Sequence, residues 1–99
     1  MAVASKAEKV ISVLAEKLNL PRENIVEQGI RAFLEKHLRA TKAEIFHITG
    51  KYGIKSVEEM EARYATGTLE EKGTWEDFQR LDHLEYKKEQ LEKLLGELK

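Results

Sequence analysis

Residues Leu18–Leu38 read LNLPRENIVEQGIRAFLEKHL, and this stretch decides the fold class. Leu18 closes an amphipathic run, Asn19 and Leu20 make a break, and Pro21, the only proline of the chain, restarts the helix. Proline suits a first helical position, where its missing N–H had no partner in any case and its fixed φ is already helical. From there to about Leu38 the apolar residues Ile25, Val26, Ile30, Phe33, Leu34 and Leu38 recur at helical spacing. Gly29 lies within that face. A mid-helix glycine costs roughly 1 kcal/mol relative to alanine, so Gly29 is expected to mark a close approach of two backbones. Upstream, Ala7, Val10, Ile11, Leu14 and Leu18 share one face of a helix predicted over Lys6–Leu18.

Downstream the helix starts are spelled out repeatedly. Ser or Thr is followed three residues later by Glu or Asp at Ser5–Glu8, Thr41–Glu44, Ser56–Glu59, Thr68–Glu71 and Thr74–Asp77. Such pairs satisfy the free N–H groups of a first turn, and the carboxylate also suits the positive end of the helix dipole. A short helix is therefore predicted from Thr41 to Thr49, stopped by Gly50, with Gly50-Lys51-Tyr52-Gly53 as a turn. A further helix begins at Ser56, carries Val57, Met60 and Tyr64 on one face, and ends at Gly67. Residues 66–73 read as a loop with one helical turn around Leu69. Thr74 opens the longest helix, which runs to Gly96 or beyond. In its second half Leu81, Leu84, Lys88, Leu91, Leu95 and Leu98 step by threes and fours, the spacing of a coiled-coil seam that Lys88 interrupts. No segment shows the period-two alternation of a strand. The expectation is an all-α single domain over residues 1–99 with four to five helices: an N-terminal hairpin at 6–38, a short helix pair at 41–65 and a long C-terminal helix at 74–98.

Composition narrows the function. The chain has 99 residues, too few for two ordinary domains. It has no cysteine, which excludes disulfides, thiolate catalysis and Cys-based zinc sites and fits a cytoplasmic location. The longest apolar runs are a few residues, so no membrane span is expected, and MAVASKAEK lacks the charged leader and apolar stretch of a signal peptide. The net charge of −1 favours no particular partner. Residues 1–40 hold seven Lys/Arg against five Glu, an excess of +2, whereas residues 41–99 hold ten against thirteen Asp/Glu, an excess of −3. A nucleic-acid contact would thus fall to the N-terminal part.

The catalytic inventory is thin. Glu44 and His47 make one Glu-x-x-His pair, but di-iron bundles need two such motifs and further glutamates. Arg31 and His37 match the Arg-x4–6-His spacing of a class of all-helical ribonucleases, in which histidine does acid–base work and arginine holds phosphate; two charged residues on a wet helix face give the same spacing. The carboxylates fall at helix starts or opposite lysines, as in Glu85–Glu89–Lys93. Gly50, Gly53, Gly67 and Gly73 lack the strand–loop–helix setting of a phosphate loop. Thr41–Tyr64 imitates a DNA-binding helix–turn–helix, but the would-be recognition helix begins with Glu58, Glu59 and Glu61, which phosphates would repel.

Leu18, Leu20, Pro21, Ile25, Ile30, Phe33, Leu34 and Leu38 together resemble the helix pair of ribbon-helix-helix antitoxins and repressors, over roughly residues 6–38. That resemblance implies a homodimer in which two hairpins interlock through Ile25, Gly29, Ile30, Phe33 and Leu34. The family's DNA-reading strand would precede Lys6, where MAVAS has neither the length nor the alternation, so DNA binding is not expected. The remainder, with YGIKSVEEME and TWEDFQRLDHLEYKKEQLEKLL, resembles small prokaryotic proteins of antitoxin type, whose tails lay an amphipathic helix along a toxin. The leading expectation is an antitoxin-like protein-binding module, not an enzyme, without cofactor, catalytic or metal-binding residues. It is expected to present Trp75, Phe78, Leu81, Leu84, Leu91, Leu95 and Leu98 to a partner such as a small basic toxin. The competing expectations are that those residues form core, that the protein is a purely structural self-associating one, and that Arg31 and His37 make it a ribonuclease.

Overall fold

A computed structural model describes residues 5–98. Of the stretch MAVAS, where no DNA-reading strand is expected, all but Ser5 lies outside that range. The described chain is all-helical: α1 spans Lys6–Leu18, α2 Arg22–Tyr52, α3 Val57–Thr66 and α4 Trp75–Glu97. The five predicted segments are thus one too many, because two of them are a single helix.

α1 has the boundaries predicted for it. The Ser5 hydroxyl accepts from the Glu8 N–H at 3.2 Å, and the chain leaves the helix through Asn19 at φ 53°, a left-handed position that asparagine tolerates. The Leu20 N–H then reaches back to the Ala15 carbonyl at 3.0 Å. This six-to-one closure recurs after α2, where Gly53 sits at φ 64° and Ile54 donates to Thr49, and after α3, where Gly67 sits at φ 76° and Thr68 donates to Arg63. Pro21 precedes α2 as its N-cap, one position earlier than expected.

α2 is 31 residues long, about 46 Å at 1.5 Å per residue. The predicted stop after Leu38 and the separate Thr41–Thr49 helix are both corrected by it. Arg39 and Ala40 are good helix formers, and the Thr41 hydroxyl donates back to the His37 carbonyl at 2.8 Å instead of capping a new first turn. Gly50 does not stop the helix either; termination waits for Gly53. The expected helical turn around Leu69 is absent, since Thr68 turns its hydroxyl to the Arg63 carbonyl. Thr74 makes no side-chain cap: its hydroxyl donates to the Glu70 carbonyl at 2.6 Å and takes the Tyr64 hydroxyl at 2.7 Å.

α4 runs antiparallel along α2. Lys51–Asp77, Arg80–Glu44 and Lys42–Glu92 pair the two helices in reverse order, and at the far end Arg31 Nη2 donates to the Leu98 carbonyl at 3.0 Å. α3 packs on the first half of α4. Its first turn is held from outside, the Val57 N–H donating to Glu85 Oε2 of α4 at 2.8 Å. The core sits at this end and comprises Ile48, Ile54, Met60, Leu81 and Leu84, flanked by Ile45, Tyr52, Val57, Tyr64, Leu69 and Phe78. The other end is the α1–α2 hairpin, and α1 packs on α2 alone. The result is a rod of 62 × 27 × 20 Å with a radius of gyration of 20.0 Å, against roughly 13 Å for a compact chain of this length.

Candidate interaction surface

α1 has no buried residue, although its apolar side chains cover a wide arc. Ile11 and Ala15, half-buried, turn toward α2. Val10 is 55% exposed, Val13 51% and Leu18 58%, with Leu14 also open. At 100° per residue Val13 and Val10 lie about 180° and 120° round the helix from the Ile11–Ala15 face and Leu14 on its flank at about 80°, so α2 cannot cover them all. Val13 is not part of the face predicted from periodicity; the three-residue step from Val10 is the signal that marks it.

α2 contributes a second exposed set at the same end. Phe33 is 61% exposed and rests its ring on the His37 imidazole at 4.3 Å, and Ile30 is open beside it. Leu34, by contrast, is buried under α4. Phe33 and Glu35 flank Leu34 by one step on either side, as Leu94 and Gly96 flank Leu95. Glu35 and Gly96 line one cleft with Arg31, Glu92 and Leu95, so Phe33 and the exposed Leu94 emerge together on the opposite side of the α2–α4 seam. Of the residues expected to pair two chains, Ile25 is half-buried beside α1, Ile30 and Phe33 are open, and Leu34 is consumed within the chain. Gly29 borders open space: a Cβ there would meet no atom within 4 Å, so no close approach occurs within one chain.

The residues expected on α4 as partner contacts divide differently. Leu81 and Leu84 are core side chains, fully enclosed, and so form no surface; the seam faces α2 because that is the longest apolar stripe within reach. Leu91, Leu95 and Leu98 are half-buried along it. Trp75 is partly open, stacked on Phe78 at 5.0 Å, with Tyr64 against Phe78 at 5.5 Å.

The polar groups are largely engaged in structure. The Arg31 guanidinium donates to the carbonyl of Leu98, the residue that caps α4, and six residues of helix place His37 about 120° away around the axis, not beside it. Glu44 is paired by Arg80. Arg63, the single cation of the would-be recognition helix α3, donates to the Tyr52 and Gly53 carbonyls at the end of α2, at 3.1 and 3.0 Å. Asp77 accepts from the Tyr52 hydroxyl at 2.5 Å and from Lys51 Nζ at 2.9 Å. These two donors hold its carboxyl below the usual carboxylate range, while burial, reinforced by the bond to Asp77, pushes the Tyr52 hydroxyl up. Among the described residues no three His, Asp or Glu side chains come together as a metal site, and no helix is long and apolar enough to cross a membrane.

Fold and surface together define an elongated all-α protein with one packed end and one apolar, uncovered hairpin. The chain belongs to the uncharacterized protein MJ0235 family, whose model matches residues 1–99. No curated protein and no solved structure matches it.

Proposed function

We propose that the protein is a cytoplasmic, non-enzymatic protein-binding module that works through its N-terminal hairpin. The observation that carries this reading is α1: a helix apolar on two sides, covered on one, with Val10, Val13, Leu14 and Leu18 facing solvent. Exposed apolar side chains gathered on one element mark an association surface, whereas scattered ones mean little. The three-helix end serves as the folded anchor for that surface. An antitoxin-like role is the form of this proposal in which the occupant is a toxin, and the likeness of residues 6–38 to a ribbon-helix-helix hairpin supports a shared mode of helix pairing. The open α1–α2 hairpin carries the role in this proposal because Leu81 and Leu84 of α4 are enclosed in the core.

The test is affinity capture of the tagged protein from lysate of its native source, beside a Val10→Glu/Phe33→Glu variant, with mass spectrometry of what co-elutes. A stoichiometric protein, whether a foreign chain or untagged copies of the same one, retained by the wild type and lost by the variant supports the module. Identical recovery by both overturns the hairpin as the binding surface.

A further inference from the structure

We infer that the occupant of the open hairpin is a second copy of this chain, the two hairpins closing face to face into a four-helix arrangement. This rests on the binding-module proposal and names the partner of that same surface.

Area is the first argument. The chain exposes 7779 Å², whereas a compact monomer of 11.4 kDa exposes about 5,800 Å² by the usual scaling with mass. The excess is about 2,000 Å² per chain. Burying half of it on each of two copies removes about 2,000 Å² in total, the scale at which obligate homodimers begin. Helix geometry is the second. α1 carries one apolar set against α2 and another, Val10, Val13 and Leu14, turned away, which is the pattern of a helix with two helical neighbours. The chain supplies one of those neighbours. A two-fold related copy supplies the other at no cost in new chemistry, because an isologous contact sets the same surface against itself.

Charge is the third. Residues 6–38 carry six Lys/Arg and five Glu, interleaved along both helices. A near-neutral, mixed-sign rim is complementary to itself under a two-fold axis; a small, strongly basic partner would call for an acidic one. At the packed end the core is closed by α2, α3 and α4 of one chain, and the open apolar side chains there, Phe46, Tyr86 and Trp75, sit on a body that is already folded.

The experiment uses the full chain and sedimentation equilibrium from 1 to 100 µM, with the Val10→Glu/Phe33→Glu variant alongside. The wild type is expected at twice 11.4 kDa, and the variant at least 100-fold weaker in self-association. Because that variant could also lose its hairpin fold, single cysteines in this cysteine-free chain supply an independent readout. Val13→Cys should form a disulfide-linked dimer on mild oxidation, and Glu61→Cys, exposed on α3 at the packed end, should not. Crosslinking at Glu61 and not at Val13 overturns the inference, as does a wild-type monomer at 100 µM. A monomer leaves the binding-module proposal standing; that proposal falls when capture also yields nothing that the hairpin substitutions remove.

Discussion

Asp77 is the polar hinge between α2 and α4, taking both Lys51 and the Tyr52 hydroxyl on one carboxylate oxygen. Its folded-state pKa lies below its unfolded one, so the stabilisation is complete above the carboxylate range and is lost as pH falls below it. Tyr52 titrates in the opposite sense. Its folded-state pKa is raised, so its contribution is complete below about pH 10 and lost above it. Asp77→Asn is expected to cost about 1 kcal/mol at pH 7, the group being partly open to water, and to flatten the acid limb of the stability profile. Urea melts at pH 7 and pH 3 give both quantities, and equal losses at the two pH values would contradict the assignment. Leu81, wholly enclosed between α2 and α3, belongs to a different regime. Leu81→Ala should cost about 2–5 kcal/mol through lost burial and a residual cavity, read from the same melts.

At the scale of the helix, glycines separate by what their backbone requires. Gly53 sits at φ 64° and ends α2; Gly53→Ala is expected to destabilise by about 1 kcal/mol, since an L side chain is strained there. Gly29 is helical and faces open space within the chain. Gly29→Ala should therefore raise the stability of the isolated chain by up to about 1 kcal/mol, and should lower self-association only if the second copy brings a backbone against it. Thermal melts and sedimentation of both variants test the pair. The same contrast explains what could be read from the residues. α1 was legible to its ends because Ser5 caps and Asn19 terminates with local groups alone. The fusion of α2 was not, because a threonine hydroxyl at Thr41 has two uses, capping forward or bonding back to His37, and spacing alone does not choose between them. Periodicity also marks which side chains seek cover without naming the cover. Leu34, Leu81 and Leu84 found it within the chain, whereas Ile30 and Phe33 did not.

For the molecule as a whole, packing is graded along the rod. The core cluster lies at the α3 end, and α1 has no buried side chain. Amide hydrogen exchange is expected to be slowest around Ile48, Met60, Leu81 and Leu84 and fastest in α1, with the protection of α1 rising with protein concentration as copies pair. Uniform protection along the chain at 1 µM would contradict this gradient.

A flexible linker between two ends lets each be placed freely; a continuous helix makes residue count a gauge. Each residue between the hairpin and the packed end sets 1.5 Å of reach and 100° of rotation. The 31 residues of α2 thus fix both how far apart the two ends stand and which way one faces when the other is docked. An insertion or deletion within α2 acts as on a keyed shaft: a single added residue leaves every side chain intact and turns one end of the rod by about 100° against the other.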